Sequence, residues 1–135
     1  VLFGGDGDDF MDGGIGNDVL VGGAGFDILY GDQGADLFLF QSIADAGDTI
    51  MDFNAGEGDI INVTDVLEGF DAGLDDINDF MQLVNSGGDT TLEVNADGQG
   101  NDFVALAVFD GGLGGAGLAD LLADGSLVVD QSVVV

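Results

Sequence analysis

Between Gly4 and Leu39 the chain repeats itself every nine residues. Gly4-Gly5-Asp6-Gly7-Asp8-Asp9-Phe10-Met11-Asp12 is followed by Gly13-Gly14-Ile15-Gly16-Asn17-Asp18-Val19-Leu20-Val21. Two further copies run from Gly22 to Tyr30 and from Gly31 to Leu39. The shared pattern is G-G-x-G-x-D-x-U-x, with U a large apolar residue: Met11, Leu20, Leu29 and Phe38. A unit this short cannot bury its own apolar side chain, so it must stack on its neighbours to make a core. Four consecutive copies in register also argue against a flexible glycine-rich linker.

The residue types suggest how each unit is used. Glycines at three of the first four positions let the backbone take positive φ and turn its carbonyls inward. The Asp at position six adds a hard anionic oxygen, and x-U-x is a short strand with one side chain pointing inside. One nonapeptide is then a half-turn, two make a turn of eighteen residues, and units n and n+2 stack on the same side. Calcium takes about six to eight oxygens at roughly 2.3–2.6 Å, and two stacked loops can supply about six. The nonapeptide is an established signature of calcium-binding parallel β-helices. Candidate ligands are Asp9, Asp18, Asp27 and Asp36, with loop oxygens at Gly4, Asp6, Gly13, Ile15, Gly22, Gly23, Ala24, Gly25, Gly31, Asp32, Gln33 and Gly34. Asp9 and Asp27 share one site on this geometry, and Asp18 and Asp36 share another on the opposite edge. Asp32 stands where the other copies have their second Gly, which predicts a stiffer or differently turned loop.

Asp48-Thr49-Ile50-Met51 and Asp59-Ile60-Ile61-Asn62 repeat the D-x-U-x half of the motif at longer spacing. As degenerate fifth and sixth half-turns, Asp48 would complete a site with Asp27, and Asp59 one with Asp36. As ordinary aspartates at strand starts they would bind nothing. The first reading allows up to four inter-repeat ions and the second allows two.

Composition sets the limits. The 135 residues include 27 acids and no Lys, Arg or His, a formal charge of −27. Without cations there is no phosphate clamp, so nucleic acid and anionic membrane are excluded as direct partners. Imidazole-dependent triads and lysine Schiff bases are excluded too, and the chain reads as non-catalytic, with no catalytic residue and no organic cofactor. A two-carboxylate hydrolase would want aromatic stacking around a cleft, and there is one Tyr and no Trp. The 46% hydrophobic content is far above that of a disordered acidic tail. Cysteine is absent, so no disulfide framework staples the fold. No run approaches the roughly 18 apolar residues of a membrane span. Val1-Leu2-Phe3 fits the end of an earlier copy, and the chain reads as a C-terminal piece of a longer parent protein.

Beyond Asn62 the pattern is mixed. Residues 74–81 read as a short helix. Residues 81–94 read as a β-hairpin turning at Gly87-Gly88, and 103–109 as a buried strand. A glycine loop over 111–117 precedes a helical turn at 118–124 stopped by Gly125, and 127–129 is a last strand. Asn95 to Asp102 reads as a polar connecting loop in preference to a further calcium loop. The expected fold is all-β: a parallel β-roll over residues 1–62, capped by a β-rich region with short helices over 63–135.

The four nonapeptides resemble the RTX repeats of Gram-negative proteins exported by type I secretion, found in toxins, lipases, serralysin-type metalloproteases and giant adhesins. Asp48-Thr49-Ile50-Met51-Asp52-Phe53-Asn54-Ala55-Gly56-Glu57-Gly58-Asp59-Ile60-Ile61 resembles the D-x-I-x-D-F-x-x-G-x-D-x-I stretch that follows those repeats. The hairpin and Leu-rich end are similar to the secretion-target domains of RTX adhesins, although the usual basic residues after the D-F segment are absent. The resemblance implies a secreted or cell-surface module that is unfolded in low calcium, folds on binding calcium outside the cell, and has a C-terminus read by the type I exporter. A calcium-dependent adhesive or carbohydrate-binding module is the rival expectation.

Overall fold

The computed structural model describes residues 1–67, 69–71 and 73–129. The repeats form β1 (Leu2–Phe3), β2 (Phe10–Asp12), β3 (Val19–Val21), β4 (Ile28–Tyr30) and β5 (Leu37–Leu39). Each three-residue strand starts at position seven of its unit, just past the Asp, where the glycines stop. The D-x-U-x segments form β6 (Asp48–Ile50) and β7 (Ile60–Asn62). Strands alternate between two sheets: β1, β3, β5 and β7 lie side by side in one, and β2, β4 and β6 in the other. All these neighbours pair in parallel, with Leu2 on Leu20, Leu20 on Phe38, Phe38 on Ile61, and Met11 on Leu29 on Ile50.

That register stacks the apolar position of every unit. Met11, Leu20, Leu29, Phe38, Ile50 and Ile61 are all buried and belong to one hydrophobic cluster between the sheets. Alternation sends the strand neighbours to the other face, which leaves Phe10 67% exposed beside a Met11 that is 6% exposed, although Val21 in β3 is buried on that face too. Two inserts lengthen the later turns. Ser42 caps a short 3₁₀ turn at Ile43–Asp45, and Asn54 caps another at Ala55–Glu57.

The second half extends both sheets. A hairpin of β8 (Met81–Ser86) and β9 (Asp89–Val94) pairs antiparallel with β10 (Val104–Phe109), and β10 pairs parallel with β6. The sheet containing β2 is therefore mixed, not purely parallel. Helix α1 (Leu118–Asp124) ends at Gly125, whose φ of 82° is the left-handed C-cap a side chain resists. It feeds β11 (Leu127–Val128), which pairs parallel with β7. β10 and β11 thus cover the two edges that β6 and β7 would otherwise expose, and an uncovered flat edge invites aggregation. Phe53 seals the junction, with ring centroids 6.1 Å from Phe38 and 5.1 Å from Phe109.

One expected element is smaller than its pattern suggested. Residues 74–81 contain a single 3₁₀ turn, Ile77–Asp79, instead of a short helix. The side chains of Asp71 and Asp76 accept hydrogen bonds from the nearby N–H groups of Gly73 and Asn78, competing with the helical ladder. Leu74, the first residue of the apparent apolar face, is 86% exposed and packs against nothing that would reward a helix. The acidic and Val-rich tail, residues 130–135, lies outside the described residues.

Burial separates the two faces energetically. Phe38→Ala should cost about 3–5 kcal/mol, the usual range for a fully buried aromatic. Ile15→Ala, at a site 85% exposed, should stay within about 0.5 kcal/mol. Urea unfolding in excess calcium measures both, and comparable losses would contradict the inside–outside assignment.

Candidate cation site

The aspartates at position six meet in two columns, one on each edge where the chain crosses between sheets. In the first, the Asp9 N–H donates to Asp27 Oδ1 at 2.8 Å, and the Asp27 N–H to Asp48 Oδ1 at 3.0 Å. In the second, the Asp18 N–H donates to Asp36 Oδ1 at 2.8 Å, and the Asp36 N–H to Asp59 Oδ1 at 2.9 Å. The structure thus brings together Asp9 with Asp27 and Asp18 with Asp36, and it places Asp48 and Asp59 as the next members of each column. Asp27, Asp36, Asp48 and Asp59 are each about 1% exposed.

Oδ1 of Asp27, Asp36, Asp48 and Asp59 is used in this way, which leaves the other oxygen of each. Oδ2 of Asp9, Asp18, Asp27, Asp36 and Asp48 is buried without any hydrogen-bond partner. Stripping water from an anion without replacing its hydrogen bonds is costly. Burial accordingly pushes the carboxyls of Asp27, Asp36 and Asp59 above their ordinary range, although the N–H donors oppose the shift. Asp48 is raised furthest, to about 7, by burial first and then by the neighbouring Asp27 charge, against the Asp27 N–H. The chain has no Lys, Arg or His to neutralise these oxygens.

The glycines at position one leave room beside those oxygens. A Cβ on Gly4 would lie 2.5 Å from the Gly22 carbonyl oxygen and 2.8 Å from Asp9 Oδ2. One on Gly13 would lie 2.9 Å from the Gly31 carbonyl oxygen and 3.0 Å from Asp18 Oδ2. Gly22 faces Oδ2 of both Asp27 and Asp48, and Gly31 faces Oδ2 of Asp36. Each cradle therefore combines anionic oxygen with space that a side chain would fill. No group of three or more acidic side chains capable of holding a metal gathers among the described residues. A hard cation here would draw its remaining oxygens from the backbone, the donor set calcium accepts. The residues fit calcium.

The other predicted loop residues hold the stack together. The carbonyls of Ala24 and Gln33 accept the N–H groups of Gly7 and Gly16 at 2.8 Å, each keeping a second lone pair. Ile15 bridges to Gln33 across the stack. Gly23, Gly25 and Gly34 lie so near the carbonyls of Gly5, Gly7 and Gly16 that no Cβ could be accommodated. Asp6 is exposed. Asp32 keeps the ordinary turn, not a different one: its φ is +70°, beside +84° and +88° at Gly14 and Gly23. Aspartate tolerates this region better than most residues, and Asp52 secures it. The two Asp52 oxygens accept the N–H groups of Gly31 at 2.9 Å and Asp32 at 2.8 Å.

Asp52 was not among the residues singled out from sequence. Neither were Asp8 and Asn17, whose Oδ1 atoms accept the N–H groups of Phe26 and Ala35, eighteen residues on. A signal existed: position five is Asp or Asn in the first two copies and apolar in the last two. The Asn95–Asp102 loop is a self-bonded turn, with Asn95 donating to the Gln99 carbonyl and Asp97 accepting from the Gln99 N–H, both at 2.9 Å.

The raised carboxyls give the metal-free chain a definite pH dependence. Their folded forms bind protons more tightly than the unfolded chain, so protonation stabilises the fold fully below the ordinary value near 3.8 and progressively less as pH rises towards 7, where Asp48 ionises. In chelator the chain should therefore keep more β structure at pH 4 than at pH 7, read by far-UV circular dichroism, and more structure at the higher pH would contradict the assignment. Gly22→Ala, which fills the space beside Asp27 and Asp48, should weaken calcium-dependent stabilisation much more than Gly88→Ala, where a Cβ meets nothing within 4 Å. Melting temperature against calcium concentration reads both.

Over residues 1–20 and 12–40 the chain matches the family model of the RTX calcium-binding nonapeptide repeat, described as four copies. Eleven chains of solved structures match it. Among them is a subunit of the mannuronan C5-epimerase of Azotobacter vinelandii, solved in solution. It is 29% identical with a TM-score of 0.54, and the match covers 80% of this chain and 73% of that one. No curated protein matches. The nonapeptides of residues 1–40 are thus similar to calcium-binding RTX repeats, in a chain that is mostly strands with one short helix and whose fold resembles that epimerase subunit.

Proposed function

We propose that this chain is a calcium-loaded β-roll that folds only when calcium is available, attached to a C-terminal cap that serves type I secretion. The observation that carries the reading is the set of buried carboxylate oxygens without partners, repeated on both edges of the stack. Asp9, Asp18, Asp27 and Asp36, with carbonyls of the glycine loops, would hold the ions, and Asp48 and Asp59 stand at the ends of the same columns. Bound calcium would supply the positive charge that the sequence lacks. The chain's part is to present those oxygens only when units n and n+2 are stacked, so that ion binding and folding are one equilibrium.

The cellular setting follows from affinity. Modules of this kind bind calcium at about 10⁻⁴–10⁻³ M, above cytosolic levels. Residues 1–62 then stay threadable inside a Gram-negative cell and fold after export, at the cell surface or in the medium. The cap over 63–135 and its C-terminus would engage the exporter. No catalytic role is assigned. An adhesive or sugar-binding role would require an open coordination position at a cation, and four of the six column aspartates, Asp27, Asp36, Asp48 and Asp59, are buried between turns.

At neutral pH, far-UV circular dichroism of the whole chain should be coil-like in chelator and gain β signal with millimolar calcium; an unchanged spectrum would falsify the switch. In the same assay Asp27→Ala should raise the calcium midpoint severalfold, while Asp12→Ala, on an exposed strand position, should leave it nearly unchanged.

A further inference from the structure

The two carboxylate columns end differently. The first runs Asp9, Asp27, Asp48, and the second Asp18, Asp36, Asp59, each step tied by an N–H to Oδ1 hydrogen bond. From their last members we infer that Asp48, outside the nonapeptides, is a cation ligand that shares a third calcium site with Asp27, whereas Asp59 is a peptide-capped terminus that binds none. The chain then holds three inter-turn ions, between Asp9 and Asp27, Asp18 and Asp36, and Asp27 and Asp48. This inference rests on the calcium reading above.

Asp48 ends its column open. Its Oδ2 is buried and has no partner, and it converges with the equally unbonded Oδ2 of Asp27 beside Gly22. A Cβ there would stand 2.8 Å from the Asp48 oxygen and closer still to that of Asp27. Two bare carboxylate oxygens facing one dry space repel each other unless a proton or cation stands between them. The β6 backbone cannot supply a donor, because its strand pairs with β4 and β10 on either side.

Asp59 ends its column closed. Both oxygens are satisfied by peptide N–H groups, Oδ1 by Asp36 and Oδ2 by Asn54 at 2.9 Å. Asn54 is held in place by its own side chain, which accepts the Gly56 N–H at 2.9 Å and donates to Glu57 at 3.0 Å. The space beside Gly31 is correspondingly lined first by the carboxylate of Asp36 alone. At the same corner Asp52 takes the Gly31 N–H, a role the carbonyls of Val21 and Tyr30 play for Gly4 and Gly13. With an N–H on each oxygen, Asp59 offers a cation no bare carboxylate oxygen, in contrast to Asp48.

Equilibrium dialysis of the whole chain against radioactive calcium, at physiological ionic strength with excess magnesium to occupy loosely held surface acids, tests this. Saturation at three ions is expected, with Asp48→Asn saturating at two and Asp59→Asn still at three while its circular dichroism in calcium remains that of the parent. Saturation of the parent chain at two or at four, or loss of an ion from a folded Asp59→Asn chain, would overturn the inference and leave the calcium reading standing. No saturable calcium at all would remove both.

Discussion

The structure depends on one recurring hydrogen bond, from the N–H of an aspartate to the carboxylate of the aspartate one full turn further on. That bond fixes the register of the strand that follows, since position seven begins directly after it. It also buries the acceptor and, at every step except Asp59, leaves its second oxygen in a dry space with no donor. Order and electrostatic cost arise from the same contact. Such a stack carries an electrostatic cost, and the chain contains no Lys, Arg or His side chain to offset it.

The strands themselves contribute modestly. Most in the repeats are three residues long and pair over two or three positions. Isolated, such strands are too short to hold together. Their packing comes from the inner row of Met11, Leu20, Leu29, Phe38, Ile50 and Ile61. The hairpin of β8 and β9 is built otherwise: six-residue strands, antiparallel pairing, and none of the unpartnered carboxylates. The molecule thus joins a region lined with buried, unpartnered carboxylate oxygens to one held by ordinary packing, with β10 and β11 as the seam.

Much of the site was legible because a strict period turns spacing into geometry. With an eighteen-residue turn, Asp9 must stand under Asp27 and Asp18 under Asp36. The degenerate copies were only half legible. Asp48 and Asp59 present the same D-x-U-x text, yet their second oxygens meet different surroundings, because the inserts before them differ. Asn54 reaches Asp59 from a capped 3₁₀ turn five residues earlier, whereas in the capped turn before Asp48 the N–H groups of Gln41 and Ser42 go to Asp45 instead. Asp52 escaped notice for a related reason: it substitutes for a backbone carbonyl of a turn that no longer exists, and no repeat position corresponds to it.

By itself the sequence determined the half-turn, the alternation of strands between two sheets, the inner apolar row and the pairing of the position-six aspartates, since all of these follow from a nine-residue period with fixed chemistry. It determined as well that no internal cation could balance the buried acids. Only the tertiary structure decided how the stack ends: that β10 and β11 extend the two sheets, that residues 77–79 make one turn where a helix was expected, and that one carboxylate column finishes on a peptide donor while the other finishes bare. Periodicity carries no information about its own termination. That is settled by which irregular segment packs against the last turn, and by whether its backbone brings an N–H to the final oxygen.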